Sequence, residues 1–434
     1  MFAGVAPAAA PREDTITVSR SDEQVAEGSG VRGPAFRRLF FAWSVSLVGD
    51  GVRAAALPLY VAVSTGDPLA ASAVVAAELL PWLLVALPAG ALVDRWRPRV
   101  VVLTAHIVRA VLTAVLAVVV FTGQDTVLIL AVLAFLLTTA ETFADSASQL
   151  LLVEIAGPAD LDRANSRFVT AETIGVDLAG PLAASLLFAW EPAACFALDA
   201  LSFAIAAWYV AHVPDVVPHR EKRDGESLRL QVVEGVRYLL TERSLRVLVL
   251  AVVMSALAAA AVNVVSALFA IQVLGFAPAL VPTLMITMAL GILVAARLTP
   301  ALGARVGEGP LMIASLLLVA AGFALLATAA VPELAWVAYF VTGLGSGCWN
   351  VLSATRRQRL TPGHLMGRVS SGYRVLAWGL MPVGAALAGP IAGVTSLGTV
   401  LLGAAVIVAT TAVVLGGPLV RTGGPGHASR GSGI

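Results

Sequence analysis

The sequence is a succession of long apolar stretches separated by short polar ones. Twelve of the apolar stretches are long enough, as helices of about 20 residues, to cross the hydrocarbon core of a bilayer. These spans, numbered 1 to 12 in chain order, are predicted at residues 39–63, 69–92, 100–121, 127–153, 168–189, 193–213, 245–270, 279–299, 310–330, 334–354, 369–392 and 396–417. The pattern therefore predicts an all-α membrane protein with twelve transmembrane helices.

Two segments of this apolar pattern resemble each other. Residues 175–185 read GVDLAGPLAAS in span 5, and residues 384–394 read GAALAGPIAGV in span 11, 209 positions further on. A motif repeated at half-chain distance within membrane helices is typical of transporters built from two related halves. We therefore expect two pseudo-symmetric six-helix bundles around a central cavity, in a protein that moves a solute.

The longest polar stretch, residues 214–244, lies between spans 6 and 7 and is predicted to link the two bundles. Its second part places apolar side chains at helical spacing among charged ones, which predicts an amphipathic helix on the inner membrane surface. The bundles are accordingly predicted at residues 36–213 and 245–417. Residues 1–35 and 418–434 are expected to be disordered cytoplasmic tails.

Composition and charge placement agree with a bilayer environment and give the chain an orientation. Hydrophobic residues make up 59% of the chain and charged residues 13%, with a mean hydropathy of +0.89; soluble domains carry about 25% charged residues. The arginines are concentrated in alternate loops, and basic loops resist translocation. We therefore predict that these loops and both termini are cytoplasmic.

The residue types needed for chemistry are not grouped in this sequence. The two cysteines, Cys195 and Cys348, lie in apolar stretches and form neither a disulfide framework nor a metal-ligand spacing. A Gly-x4-Gly-Lys-Ser/Thr phosphate loop is missing, as are His-Asp-Ser and Cys-His constellations. We expect no catalytic residues, no metal, no cofactor and no nucleic-acid partner, and the protein is predicted not to be an enzyme.

Charged side chains inside the spans require an explanation, because each costs about 2.5–3.5 kcal/mol near the middle of a bilayer. They are Asp50, Arg53, Glu78, Arg109, Glu141, Asp145, Glu172, Asp177 and Asp199. Span 4 has the clearest pattern, a polar stripe with three-to-four-residue spacing that cannot face lipid. The stripe consists of Thr138, Glu141, Thr142, Asp145, Ser148 and Gln149. Thinner polar stripes occur in spans 1, 7 and 10.

These positions supply the candidate site. A buried carboxyl group with a like-charged neighbour one turn away is suited to bind and release a proton. The proton-coupling candidates are Glu141, Asp145, Glu78 and Asp50. The substrate-binding candidates on the four stripes are Arg53, Thr138, Thr142, Asn263, Trp349 and Asn350.

Static ion pairs are the alternative explanation for the acidic residues. Glu141 and Asp145 then pair with Arg53 or Arg109, and Asp50 pairs with Arg53 at i, i+3 within one helix. Asp199, near the outer end of span 6, is expected to fasten two helices together.

The loop after span 2 carries a motif. Residues 90–99 read GALVDRWRPR, which resembles the Gly-x3-Asp-Arg-x-Gly-Arg-Arg/Lys motif of the major facilitator superfamily. The matching positions are Gly90, Asp94, Arg95 and Arg99, whereas Arg97 stands at the second glycine and Pro98 at the first basic residue. The resemblance extends over residues 36–417 and implies that the matching residues gate the inner face. The alternative is that the arginines only anchor the topology.

The Gly-Pro pair of span 5 partly resembles an exporter-associated motif of the same superfamily, Gly-x3-Gly-Pro-x2-Gly-Gly. Gly180 and Pro181 match, and Gly389 and Pro390 repeat the pair in span 11. A symmetric hinge and close helix packing both account for such residues. Longer stretches, LVGDGVRAAALPLY among them, are similar to a branch with enterobactin-exporter-like and actinobacterial drug-efflux proteins, which implies a bacterial cytoplasmic membrane.

The resemblance implies a monomeric secondary active transporter in the lipid bilayer. The function expected is proton-coupled export of a hydrophobic small molecule, a drug, siderophore or secondary metabolite, by alternating access. Its partners are then protons and the small-molecule substrate. Proton-coupled import and flipping of a lipid-like solute are the alternatives within transport. A non-transporting membrane sensor or scaffold is a third possibility, although acidic residues on cavity-lining helices are hard to justify there.

Overall fold

The computed structural model describes residues 31–93, 95–214, 228–362 and 365–421, and the structural statements below concern these residues. Asp94, linker residues 215–227 and the larger part of both predicted tails lie outside them. The predicted N-terminal tail differs from the structure at its end. Val31 is buried, its backbone N–H donates to Asp160 Oδ2 at 3.2 Å, and the first helix already begins at Pro34.

Each predicted span corresponds to one helix or to two consecutive helices. The spans are Pro34–Thr65, Pro68–Leu84 with Ala86–Val93, Pro98–Thr122, Val127–Gly157, Asp160–Trp190, Pro192–Ala211, Arg243–Gln272, Pro278–Val306, Glu308–Ala327, Glu333–Leu360, Met366–Gly379 with Met381–Val394, and Leu397–Arg421. A further helix, Leu228–Thr241, lies between spans 6 and 7. Residues 215–227, which precede it in the linker, are outside the described part.

Ten of the spans are helices long and apolar enough, by length and composition, to cross a membrane. The two exceptions are spans 2 and 10. Span 2 is interrupted at Val85, which leaves an apolar helix of 17 residues, Pro68–Leu84. Span 10 is one helix of 28 residues that includes glycines and polar residues, among them Asn350. Span 10 packs within its bundle against spans 8 and 9, whereas span 2 packs against span 4 of its own bundle and span 11 of the other.

Short connections between the spans are set by local turn chemistry. Gly66 and Gly123 end spans 1 and 3 in the left-handed conformation, with φ of 62° and 65°, which glycine adopts without steric cost. Asp67 Oδ1 accepts a hydrogen bond from Leu69 N–H at 2.9 Å at the start of span 2. Thr126 does the same for Ile129 at the start of span 4. These caps satisfy backbone groups that a helix end leaves unpaired.

Two spans are broken at points away from the Gly-Pro pairs. Span 2 breaks at Val85, four residues after Pro81, and span 11 breaks at Leu380, directly before Met381-Pro382. The two breaks lie beside each other, because the Trp82 and Trp378 ring centroids are 5.9 Å apart. Pro390, by contrast, lies inside a continuous helix.

The two bundles are joined by hydrogen bonds towards the predicted outer end. Gln272 Nε2 of span 7 donates to the Gly66 carbonyl at 2.9 Å, and Ser185 Oγ of span 5 donates to the Ala279 carbonyl at 2.5 Å. Ser72 Oγ of span 2 donates to the carbonyl oxygen of Ala385 in span 11. These contacts hold the outer halves of the bundles against each other.

The helix Leu228–Thr241 packs on the C-terminal bundle. Leu239 is fully buried in a cluster with Leu245, Val249 and Val369. Glu234 pairs with Arg368 at the start of span 11. The amphipathic pattern of the linker therefore corresponds to a helix whose apolar side is covered by spans 7 and 11.

Candidate functional site

The charged side chains of the N-terminal bundle meet around Arg53 in span 1. Its Nη1 lies 2.7 Å from Glu78 Oε1 in span 2, and its Nη2 lies 2.9 Å from Glu141 Oε2 in span 4. Asp50 Oδ1, one turn back in span 1, is 3.4 Å from Nη2, and Asp199 Oδ2 of span 6 is 3.7 Å from Nε. One guanidinium thus contacts carboxylates from four helices.

A second guanidinium, that of Arg109 in span 3, joins the same carboxylates. Its Nη2 donates to Asp50 Oδ1 and lies 3.2 Å from Glu141 Oε2. The Arg109 Cζ lies 4.0 Å from the centroid of the Phe203 ring in span 6, a cation–π contact. The ring of His106, one turn before Arg109, stacks against the same Phe203 ring, with 6.0 Å between the two ring centroids. The aromatic ring thereby holds the Arg109 side chain in place.

We call the six residues Asp50, Arg53, Glu78, Arg109, Glu141 and Asp199 the charge cluster. The two arginines are nearly inaccessible, with 4% and 3% of their side chains exposed. Three of the acids are partly open, with exposures of 15% for Asp50, 18% for Glu78 and 23% for Glu141, whereas Asp199 is at 0%. The cluster is therefore buried on its basic side and accessible at three carboxylates.

The cluster contains more acids than bases. Four carboxylates face two guanidiniums, so full ionisation leaves a formal charge of −2 among buried groups. The Asp199 side chain has room because residue 49 is a glycine. A Cβ at Gly49 would overlap Asp199 Oδ1 and would lie 2.9 Å from the Ser202 Cβ beside it. Among the described residues neither Asp199 oxygen has a hydrogen-bond partner.

The remaining acidic residues of the spans lie outside the cluster. Asp145, one turn from Glu141, is half-buried and has no ion pair with another described residue. Glu172 is exposed at the end of a helical run, and Asp177 is half-buried in the π-helical segment Thr173–Ala179 that follows. Asp145 is thus a carboxylate next to the cluster without a basic partner in the described structure.

The profile of the Major Facilitator Superfamily matches residues 39–386 of this sequence. The chain belongs to the major facilitator superfamily. This confirms the assignment made from the loop after span 2, and the protein is a multi-pass membrane transporter, not an enzyme.

Curated relatives and a solved structure agree with this assignment. The multidrug efflux pump Tap of Mycobacterium tuberculosis is 30% identical over 403 residues, which cover 88% of this chain and 93% of the relative. The protein of the same description from Mycolicibacterium fortuitum is 30% identical over 390 residues, 84% of this chain and 91% of the relative. The crystal structure of the nucleoside transporter NupG superposes with a TM-score of 0.70 over 88% of this chain and 98% of that one, at 17% identity. The fold is that of this superfamily.

Some of the predicted substrate-binding residues are buried, and others are exposed. Arg53 is at the centre of the charge cluster, and Thr138 and Thr142 are each 2% exposed, with Thr142 Oγ1 donating to the Thr138 carbonyl at 2.7 Å. Trp349 is also buried, and its Nε1 has no hydrogen-bond partner among the described residues. The remaining two candidates, Asn263 and Asn350, are exposed.

The predicted gating residues of the loop after span 2 also differ in how far they are buried. Gly90 is half-buried and Arg95 is exposed. Arg99 faces the protein, where its Nε donates to the Val210 carbonyl at 3.3 Å and its Nη2 donates to the Ala211 carbonyl. Both carbonyls lie at the end of span 6, where the Val210 carbonyl also accepts from Val213 N–H at 3.1 Å. Arg99 therefore adds to the cap of that helix and joins span 3 to span 6.

The Gly-Pro pair of span 5 lies at a close helix crossing. A Cβ on Gly180 would lie 2.5 Å from the Cα of Gly51 in span 1. The π-helical segment Thr173–Ala179 ends directly before Gly180, and Pro181, which has no N–H to donate, follows. Span 5 is thus widened at the point where it crosses span 1.

In span 11 the pair makes a contact between bundles. Gly389 N–H donates to Ser72 Oγ of span 2 at 3.2 Å, and the Gly389 side of the helix lies directly against Pro68 and Leu69. The two Gly-Pro pairs therefore have different neighbours, one within the N-terminal bundle and one between the bundles.

Sequence reasoning did not find several features of this site. Glu78, which stands alone in its span, pairs with Arg53. Asp199, in the first half of Pro192–Ala211, lies with its Oδ2 3.7 Å from Arg53 Nε, a contact that the sequence pattern did not indicate. The parts played by His106 and Phe203 were also missed. The signal available was the three-residue spacing of His106 and Arg109, which places both on one face of span 3.

Proposed function

We propose that this chain is a proton-coupled exporter of hydrophobic small molecules that works by alternating access. The surplus of carboxylates in the charge cluster supports proton coupling. Two arginines neutralise two carboxylates, and the remaining negative charge is costly in a low-dielectric environment unless protons or a cationic group offset it. A site that needs such a partner, and that is accessible at Asp50, Glu78 and Glu141, is suited to exchange protons.

Asp145 is a further acidic residue next to the charge cluster. It adds a carboxylate one turn from Glu141, and neighbouring acids titrate as a coupled pair. When Glu141 is protonated, its hold on Arg53 and Arg109 weakens, and both guanidiniums are left to Glu78 and Asp50. Protonation of Glu141 thus changes contacts among spans 1, 2, 3 and 4, which is the kind of local change that biases one conformation of a bundle over another.

The export direction and the substrate class are supported by the relatives. The mycobacterial and Mycolicibacterium fortuitum relatives are described as multidrug efflux pumps. The Gly180-Pro181 pair, from the exporter-associated motif, lies at the crossing of spans 1 and 5, and span 1 carries Arg53. A hydrophobic substrate taken from the predicted cytoplasmic side would leave as a proton moves in the opposite direction.

Inverted membrane vesicles test this proposal. We expect vesicles with the full chain to accumulate a hydrophobic dye, ethidium or acriflavine, when respiration energises them, and an uncoupler to abolish the accumulation. The double variant Glu141→Gln, Asp145→Asn should accumulate dye at no more than about a tenth of the wild-type rate, the scale of effect expected when a proton-transfer group is removed. Glu308→Gln is the matched control, because Glu308 pairs with Arg359 at the surface of the C-terminal bundle.

The outcomes separate the alternatives. Accumulation that persists with the uncoupler, or in the double variant, contradicts proton coupling. Dye that is driven out of the vesicles by the same gradient contradicts export and favours import.

A further inference from the structure

The two bundles touch on one side of the molecule from the outer to the inner end. On this side Ser72 of span 2 donates to the Ala385 carbonyl of span 11 towards the predicted outer end. Further inward the Trp82 and Trp378 rings lie side by side, with 5.9 Å between their centroids. At the inner end the helix Leu228–Thr241 contacts the inner segments of both spans. The side formed by spans 2 and 11 is therefore covered along its length.

The opposite side, formed by spans 5 and 8, is joined in its outer part. Ser185 Oγ donates to the Ala279 carbonyl at 2.5 Å, and span 8 is contacted by the segments Thr173–Ala179 and Gly180–Trp190 of span 5. In the described structure the preceding part of span 5, residues 160–172, makes no hydrogen bond or ion pair with span 8. We call the region between spans 5 and 8, inward of Thr173, the inner cleft.

Spans 5 and 8 are also the least covered of the candidate membrane helices. In the most apolar stretch of each, 28% of the residues are buried, compared with 39–78% in the other eight candidate spans. Val169 of span 5 is 61% exposed and Leu293 of span 8 is 41% exposed. Both lie about 20 Å inward of the Ser185–Ala279 contact, at the rise of about 1.5 Å per residue of a helix. Exposed apolar side chains thus lie at the same depth on the two helices that border the inner cleft.

Carboxylates lead from span 5 towards the charge cluster. Glu172, at the end of the helical part of span 5, is exposed and has no ion pair with another described residue. Asp145 of span 4 interacts electrostatically with both Glu172 and Glu141. Glu141 in turn lies 2.9 Å from Arg53. Successive carboxylates raise the local concentration of a cation, so a positively charged solute in the inner cleft is drawn from Glu172 towards Asp145 and Glu141.

We propose that a hydrophobic solute with a positive charge enters from the predicted cytoplasmic leaflet through the inner cleft, and that Glu172 is the first carboxylate it meets. The inference rests on the proposed function, because this solute is taken to be the exported substrate. The leaflet is the source, since the inner cleft lies between two candidate membrane helices with exposed apolar side chains. The solute passes outward only when the contact between Ser185 and Ala279 breaks.

The kinetics of dye binding test the route. Purified full-length protein in lipid nanodiscs is mixed with ethidium, a hydrophobic cation, and fluorescence is followed by stopped flow. A solute enters and leaves by the same route while the outer end is closed, so an obstructed route slows both steps alike. Val169→Trp with Leu293→Trp should therefore lower the association and dissociation rate constants about tenfold each, with unchanged affinity. Leu84→Trp, at a 54% exposed position of span 2, is the matched control and should change neither rate.

A second variant tests the role assigned to Glu172. Glu172→Gln should slow the association of ethidium about threefold, because it removes electrostatic attraction at the entrance. The association of Nile red, a neutral hydrophobic dye, should be unchanged. Glu333→Gln is the control, since Glu333 is an exposed acid at the opposite, outer end, at the start of span 10. Thermal unfolding shows whether each variant is folded, and if the double tryptophan variant is not, Glu172→Gln decides alone.

The outcomes separate this inference from the proposed function. Ethidium rates in the double variant equal to those of Leu84→Trp overturn the inference, as does a Glu172→Gln variant that behaves like Glu333→Gln. Slower binding by Leu84→Trp alone would place the entrance at spans 2 and 11 instead. A wild type that binds neither dye contradicts the proposed function and this inference together. Failure of the uncoupler experiment with inverted vesicles contradicts proton coupling and leaves the binding kinetics as expected here.

Discussion

Arg53 and Arg109 are the residues on which the charge cluster depends most. Each is almost fully buried, and together they contact Asp50, Glu78 and Glu141 within 3.4 Å. An acid removed from this set leaves an arginine with other partners. Removing an arginine leaves one guanidinium for four carboxylates, and this asymmetry defines the roles of the two residue types.

Arg109→Met is expected to lower the free energy of unfolding by about 3–5 kcal/mol, the cost of breaking a buried ion pair from one side. Adding Asp50→Asn to the same chain should recover a large part of this loss, because Arg53 alone then faces three carboxylates instead of four. Denaturant or thermal unfolding in detergent measures both. Arg305→Met, at an exposed position, is the control. An Arg109→Met protein as stable as this control would contradict the structural role of the cluster.

The sequence predicted the acids of this cluster but not their arrangement. The spacing of Glu141 and Asp145 placed both on the polar stripe of span 4, because periodicity within a helix determines which residues share a face. It does not determine which other helix that face meets. The convergence of Glu78 and Asp199 on Arg53 joins residues from spans 2, 6 and 1, and it became visible only with the packed bundle.

At the scale of helices, the crossing of spans 1 and 5 depends on small residues from both. A Cβ on Gly51 would lie 2.7 Å from the Gly175 carbonyl oxygen, and one on Gly180 would overlap the Gly51 backbone. Glycine is needed here because it permits two backbones to approach closely. The repeated Gly-Pro motif was open to two explanations, hinge or packing. For Gly180 the described contacts show close packing, and the π-helical segment Thr173–Ala179 directly before it also departs from a regular α-helix. In span 11 the break lies at Leu380, not at Gly389-Pro390.

Gly180→Ala is expected to destabilise the protein by about 1–3 kcal/mol, the usual cost of overpacking, and to slow dye export. The matched control is Gly403→Ala in span 12, since a Cβ there meets nothing within 4 Å. That control should be neutral or slightly stabilising, because alanine favours a helix over glycine. Thermal unfolding and vesicle accumulation are measured on both variants. Equal effects of the two substitutions would show that the crossing is not tightly packed.

For the whole molecule, the contacts between bundles define which end is closed. The hydrogen bonds of Gln272, Ser185 and Ser72 join the bundles at the predicted outer end. Alternating access requires these contacts to break in each cycle, since a solute leaves only where the bundles separate. The twelve-span pattern and the half-chain repeat indicated two bundles. Which end is closed depends on contacts between the bundles, and no periodicity encodes them.

A disulfide across the outer end should stop transport. Ser185→Cys with Ala279→Cys, in a chain whose buried Cys195 and Cys348 are replaced by alanine, joins spans 5 and 8 at a point where Ser185 Oγ already contacts the Ala279 carbonyl. Oxidation should abolish dye accumulation, and a reductant should restore it. Each single-cysteine variant is the control and should be insensitive to the oxidant. Undiminished accumulation by the fully oxidised protein would mean that this end does not open during transport.

If the carboxylates of the charge cluster exchange protons as substrate moves, substrate must drive a flux of protons across the membrane. Inverted vesicles with an acidic lumen and a pH-sensitive dye are given ethidium once the gradient is steady. The wild type should release lumenal protons as ethidium enters, seen as a loss of the pH gradient above that in empty vesicles. Glu141→Gln with Asp145→Asn should show no such loss. Ethidium entry that leaves the pH gradient of wild-type vesicles unchanged would show that substrate does not exchange for protons.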